Sequence, residues 1–248
     1  MDPRLAVIPE RLKGVSRVVV FCSGKGGVGK TLLSSLAALV AARRGARVGL
    51  LDLDFNGPSS HVVLGSAPPP REDRGIVPPE VAGVKLMSLA LFAGEAPLPL
   101  RGADATNALI ELLAVTRWGD LDLLVVDAPP GTGDELLDAL RLLKRAETLV
   151  VTTPSKLSLA VVARLVRLLR EVGAPVLGLV ENMGRGGAEA AAAEWGVRYL
   201  GWVPYDPAIE EALGNPEKLL ATQAAAKLEE ALARAGVLKA RYAPSPST

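Results

Sequence analysis

Gly24, Gly29, Lys30 and Thr31 lie in "FCSGKGGVGKT" (21–31) and satisfy G-x-x-x-x-G-K-[ST]. Chemistry of that kind needs glycines, because backbone N–H groups must approach phosphate oxygens without a Cβ in the way. The loop Gly24, Lys25, Gly26, Gly27, Val28, Gly29, Lys30 and Thr31 is therefore a candidate phosphate cradle. In such a loop Lys30 neutralises the β- and γ-phosphates, and the Thr31 hydroxyl is a magnesium ligand. Lys25 is one cation more than the pattern requires. It reads either as a solvated loop lysine or as a second cation of arginine-finger type, acting within its own chain or across a dimer.

Three aspartates complete the candidate set. Asp127 closes the apolar run "LDLLVVDA" (121–128), where a carboxylate beside a phosphate loop holds Mg²⁺; the plain alternative is a strand-end cap. Asp52 and Asp54 end a second apolar run in "LLDLDFNGPSS". Asp52 joins the candidate metal ligands, and Asp54 is the preferred residue to orient an attacking water. Gly131 and Gly133 flank Thr132 in "DAPPGTGDE" (127–135), where bare backbone can approach a γ-phosphate and register its loss.

Elements that could position these residues alternate along the chain. The β-branched run 17–23 feeds the glycine loop. The segment 30–45 has helical periodicity, basic residues in its last turn and Gly45 as a C-cap. Strands are expected at 47–54, 84–91, 121–128, 148–153, 176–181 and 198–203. Helices are expected at 104–118, 134–145, 157–172, 187–195, about 207–214 and 216–235. Continuous apolar strands between amphipathic helices imply a doubly wound, mainly parallel α/β sheet with helices on both faces and ligands at the strand carboxyl ends. The expected organisation is an extension over 1–14, one domain over 15–236 and a flexible tail over 237–248. The Pro-rich stretch 66–83 reads as a surface excursion within that domain.

With those motifs in hand, "GKGGVGKT" resembles the deviant phosphate loop of the MinD/ParA group of dimerising ATPases. More narrowly, the chain resembles the Mrp/ApbC subfamily of ATP-binding iron–sulfur cluster carriers, over roughly residues 13 to 216. The matching runs are 23–31, 48–60, 100–113 in part, 118–135, 150–160, 176–183 and 199–212. "DAPPGTGD" and "NGPS" are the subfamily-specific pieces. The resemblance implies ATP and ADP as nucleotides with Mg²⁺, and a homodimer through the nucleotide face. It also implies that Lys25 crosses to the partner's nucleotide and that Asp54 is the switch carboxylate near the attacking water. Asn182, Pro204 and Asp206 fall in the region that holds adenine. Cluster-carrying members place a C-x-x-C pair shortly after "ENM". Here the run is "ENMGRGGAEAAAAEWGVRYLG", without cysteine. A cluster is held by thiolates, typically four, so none is expected on the isolated chain, and a cysteine-bearing paralogue or client becomes the expected partner. A positioning or partition ATPase, acting by nucleotide-dependent binding to a partner, DNA or membrane, is the alternative function.

Composition narrows the outputs. The 248 residues are 49% hydrophobic, enough for one well-buried core. Lys+Arg number 28 and Asp+Glu 27, a net charge of +1 that gives no global pull toward nucleic acid or anionic membrane. One cysteine allows no internal disulfide and fits a reducing cytoplasm. The opening "MDPRLAVIPERLKG" is expected to be neither a signal peptide nor a spanning helix. Cys22 reads as a small core residue and His61 as a lone imidazole without metal-ligand company. Arg164, Arg167 and Arg170 read as a solvated face, and Leu220, Leu228 and Leu232 as a packing stripe.

Overall fold

The computed structural model describes residues 2–93, 100, 102–239 and 242. In chain order the elements are α1 (Arg4–Arg11), β1 (Val18–Ser23), α2 (Lys30–Arg43), β2 (Val48–Asp52), α3 (Ser60–Leu64), β3 (Arg71–Glu72), β4 (Ile76–Val77) and β5 (Glu80–Val81). There follow β6 (Val84–Ser88), α4 (Ala90–Ala93), α5 (Ala103–Val115), β7 (Leu123–Asp127), α6 (Asp134–Leu142), β8 (Ala146–Thr152) and α7 (Lys156–Glu171). The chain continues with β9 (Val176–Asn182), α8 (Glu189–Glu194), β10 (Tyr199–Val203), α9 (Ala208–Ala212), α10 (Pro216–Leu220) and α11 (Gln223–Arg234).

One sheet has the order β10-β9-β8-β1-β7-β2-β6-β5. Its pairs are parallel except for the short edge strand β5, which runs antiparallel to β6. Strand β1 is central, and consecutive strands leave it in both directions: β2 beyond β7 on one side, β8 on the other. The loop after β1 therefore opens at a topological switch point.

Burial on both faces explains why the strands read as continuous apolar runs. Every residue of β1, β2 and β7 is buried. Along β1, Val19 and Phe21 enter one core, and Val18, Val20 and Cys22 the other. The first core is closed by α2, α3, α10 and α11, the second by α1, α5, α6, α7 and α8. Helix α2 is buried without a break from Leu33 to Ala41, as a helix apolar all round must be. It ends at Gly45 (φ +87°), where Gly45 N donates to Ala42 O (2.8 Å) and Ala46 N to Ala41 O (3.1 Å). This is the bond pair of a Schellman cap.

The doubly wound architecture is present, with differences at element ends. The expected helix 216–235 is two helices. Thr222 interrupts it by accepting the Ala225 N–H at 3.1 Å, which caps α11 afresh. The expected strand 84–91 stops at Ser88, and α4 follows. The stretch 66–83 contains the small β3–β4 hairpin and β5. Helix α1, which no motif announced, packs on α5 through buried Ile8, with Arg4 paired to Glu111. Val237 and Leu238 are buried against the first core. The rest of the expected tail, apart from Lys239 and Tyr242, lies outside the described residues, as does Arg101 of the matched run 100–113. No helix among the described residues is long and apolar enough to cross a membrane.

Leu36 is fully buried in α2 against the sheet. Leu36→Ala is expected to cost about 2–5 kcal/mol of folding free energy in urea unfolding, the range for a Leu-sized cavity in a packed core.

Candidate functional site

The phosphate loop spans the gap between β1 and α2, and its shape comes from four anchors. Ser23 Oγ donates to Lys25 O (3.0 Å), and Gly131 N donates to Ser23 O (2.8 Å). Gly24 lies against α7 so closely that a Cβ would meet Val161 at 2.9 Å. Asn182, at the end of β9, donates its amide to Val28 O (2.8 Å). Gly27 (φ +76°) and Gly29 (φ +78°) turn the backbone into the left-handed region, and a Cβ on Gly29 would meet Asn182 Nδ2 at 2.2 Å. Gly26 and Gly27 face open space. That opening leads to the N-terminus of α2, whose first N–H groups have no helical partner and suit an anion.

Asp127 is the hub. It is fully buried, and its Oδ1 accepts from Lys30 Nζ (2.7 Å) and Ser34 Oγ (3.0 Å). Its Oδ2 accepts from Thr31 Oγ1 (2.6 Å). Lys30 is only 5% exposed, so an ion pair in this position must be well satisfied to offset the desolvation of both charges. Thr31 Oγ1 and Asp127 Oδ2 are hard oxygens brought side by side, the donor type that Mg²⁺ takes, so these two residues are the candidates for a metal.

Asp52 sits beside Asp127 in the sheet register and is 1% exposed. Burial, and then the Asp127 charge, raise its proton affinity above the usual carboxylate range, while N–H donors from Ser60 and Asp54 oppose that rise. Its oxygens are committed to the chain itself: Oδ1 accepts from Asp54 N (3.1 Å), and Oδ2 from Ser59 N (3.2 Å) and Ser60 N (3.1 Å). Asp54 and Lys25 are half-buried at the same strand ends. Gly131 (φ +96°) has open space where a Cβ would stand.

Of the expected base-side residues, Asn182 is brought to the phosphate loop. Pro204 is half-buried after β10. Asp206 uses its carboxylate on helix starts, accepting from Ala208 N (3.1 Å) and Ala224 N (3.3 Å). Cys22 is fully buried with Sγ 3.7 Å from Leu149 O, and burial pushes its thiol up to about 12. That thiol is a packing group, since only a thiolate ligates or attacks.

The comparisons with known proteins agree with this geometry. A family model described as NUBPL iron-transfer P-loop NTPase, of the ParA group, matches residues 14–236. The chain belongs to this family. It is 40% identical over 224 residues to an iron–sulfur cluster carrier protein of Pseudomonas fragi, covering 82% of this chain and 78% of that one. It is 37% identical to an Arabidopsis thaliana iron–sulfur protein required for mitochondrial NADH dehydrogenase, covering 81% of this chain and 70% of that one. The chain spans 64% of the iron–sulfur cluster carrier of Aquifex aeolicus. Among solved structures, an Archaeoglobus fulgidus nucleotide-binding protein in complex with ADP superposes with a TM-score of 0.73 at 29% identity, covering 87% of this chain and 92% of that one. Pyrococcus furiosus cell-division ATPase MinD shares the fold, with a TM-score of 0.65 at 23% identity. The Mrp/ApbC and MinD/ParA resemblance read from the motifs is thereby met.

Two residues of this family member carry no motif signal. Ser34 reaches Asp127 only because it follows Lys30 by one helical turn. Glu181 is fully buried, and its Oε1 accepts from the N–H groups of Arg185 (2.9 Å), Gly186 (3.1 Å) and Gly187 (3.2 Å). Its Oε2 takes Ala188 N (2.7 Å) and Tyr199 OH (3.1 Å). Burial and then the Glu181 charge raise the Tyr199 phenol above its ordinary range. The loop after "ENM" is thus wrapped around one carboxylate. Its only sequence signal is an acid at the end of an apolar strand followed by "GRGG".

Gly29→Ala is expected to lose at least ~2 kcal/mol of stability by urea unfolding, because a Cβ there adds left-handed strain and strikes Asn182. Gly26→Ala, facing open space, is expected to stay within ~0.5 kcal/mol of the unaltered protein.

Proposed function

We propose that this chain is a slow Mg-dependent ATPase switch, working as a homodimer, that serves iron–sulfur cluster assembly or transfer without holding the cluster itself. The observation that carries the ATPase reading is the buried Lys30–Asp127 pair, joined by half-buried Thr31, beneath an open glycine cradle. When phosphates enter, Lys30 exchanges Asp127 for the β- and γ-oxygens, and the cradle N–H groups take the remaining charge. Thr31 and Asp127 would hold a Mg²⁺ here, and the ion would supply charge neutralisation for the phosphates. Asp54 orients the attacking water, and Lys25 of each subunit reaches the nucleotide of the other. Asn182, whose amide bonds Val28 O of the loop, would meet the adenine together with Pro204 and Asp206, as the family resemblance implies. Phosphoryl transfer asks mainly for such positioning.

Support for the cluster-related role is the family itself; support for its indirect form is the loop after Asn182. Where carriers have their cysteine pair, this chain folds a glycine loop onto Glu181, and a Cβ on Gly184 would meet Glu181 Oε1 at 1.7 Å. A cysteine-bearing paralogue or client would supply the thiolates, and the cluster is cargo on that partner. A cytoplasmic location is proposed with it, in keeping with the single cysteine.

Calorimetry and steady-state hydrolysis separate the two lysines. Lys30→Ala is expected to lose most of its Mg·ATP affinity. Lys25→Ala is expected to bind nucleotide nearly normally but to turn over ~10³-fold more slowly, as loss of an arginine finger does. Wild-type turnover in Lys25→Ala would remove the trans-acting lysine from the mechanism.

Anaerobic reconstitution of the purified chain with iron and sulfide, then desalting and iron analysis, is expected to leave no bound cluster. Retention of about four irons per dimer with matching visible absorbance would restore a full carrier function.

A further inference from the structure

Asp52 and Asp127 are neighbours on paired strands, yet their partners are of different kinds. Asp127 takes side chains of the phosphate-loop helix; Asp52 takes only backbone N–H groups of the segment 54–60. The bond from Asp54 N back to Asp52 Oδ1 closes a turn two residues long. The pair from Ser59 N and Ser60 N brings the far end of the same segment, at the start of α3, onto Oδ2. One buried carboxylate therefore pins both ends of the loop that carries Asp54, with Gly57 N on Asp54 O (3.2 Å) closing the span between them.

We propose that Asp52 is a positioning residue rather than a magnesium ligand. Through three N–H bonds it clasps the 54–60 loop and so sets where the Asp54 carboxylate points during hydrolysis. Thr31 and Asp127, hydrogen-bonded to each other, remain the candidates to hold the metal, whereas both Asp52 oxygens accept backbone N–H groups of the loop. The proposal rests on the ATPase reading for its catalytic consequence only; the clasp is a property of the nucleotide-free chain.

Asparagine tests this cleanly, because it keeps the shape of aspartate but offers one acceptor oxygen where the loop needs two. In Asp52→Asn the amide NH₂ must face either Asp54 N or the Ser59 and Ser60 N–H groups, so one end of the loop is released. The expected result in steady-state kinetics is a fall in kcat of roughly 10- to 100-fold, the scale of a misplaced catalytic group. The half-saturating Mg²⁺ for ATP binding, read by nucleotide fluorescence, should stay within ~3-fold, since no metal-bound oxygen has been removed. Amide hydrogen exchange at Ser59 and Ser60 or at Asp54 should speed up by at least ~10-fold in the nucleotide-free variant. A tenfold or larger rise in half-saturating Mg²⁺ would overturn the proposal and make Asp52 a metal ligand, as would unchanged kcat with unchanged amide exchange. Should Asp52→Asn fail to fold, exchange in the wild-type protein, free of metal and nucleotide, decides. Slow exchange at Asp54, Ser59 and Ser60 supports the clasp; protection that appears only with Mg·ATP overturns it. Absence of hydrolysis by the wild type would defeat the ATPase reading while leaving those exchange rates to judge the clasp.

Discussion

A carboxylate buried at the end of a central strand is the constraint on which the site depends. Asp127 has no water to solvate it, so its charge must be matched by protein groups in a low-dielectric setting. Lys30, Thr31 and Ser34 supply that match from the first turn of α2. The consequence is positional. Helix α2 can only start where β1 ends, and the glycine loop between them must take the left-handed turns seen at Gly27 and Gly29. The same bonds hold Lys30 against Asp127, so the loop is already shaped in the absence of ligand.

The sheet supplies the rigidity that this arrangement requires. Strands β1, β7 and β2 are buried on both faces, and their carboxyl ends deliver Ser23, Asp127 and Asp52 side by side. Neighbouring anions at Asp127 and Asp52 would repel in a dry interior. The chain resolves this by giving one a cation and hydroxyls and the other three backbone N–H groups. Strand β9 extends the same logic one step outward. Asn182 braces Val28 of the phosphate loop, and Glu181, one residue earlier, organises the following loop from beneath. Two adjacent residues thus tie the glycine loop after β1 to the segment that follows β9.

Much of this was legible before any coordinates. Strand, glycine loop and helix at 17–45, the aspartate closing 121–128 and the family-specific "DAPPGTGD" were enough for the fold class and for naming a candidate phosphate loop. Their signals are local, because a left-handed turn needs glycine and a phosphate-binding lysine must open a helix. The break at Thr222 was not legible, because a cap competes with helical periodicity only when its side chain finds the Ala225 N–H. Nor was α1, whose apolar run is short and interrupted by Pro9; its helix gains its stability from packing Ile8 on α5.

For the site, residue types alone placed Asp127, Asp52 and Asp54 together as a charged group near phosphate. They could not apportion the roles, because an aspartate that binds metal and one that accepts backbone N–H look the same in a motif. The partition became visible only once the sheet set Asp52 beside Asp127 and the chain from 54 to 60 curled back onto Oδ2. Likewise, the lack of cysteine after "ENM" could be read directly, but what replaced it could not. Glu181 gathers the N–H groups of the four consecutive residues 185–188, a closure that depends on loop dihedrals and on Tyr199 from the next strand. Covalent identity and local turn chemistry are written along the chain. The choice of partner for each buried carboxylate is a long-range matter, settled when separate strands bring their ends to one place.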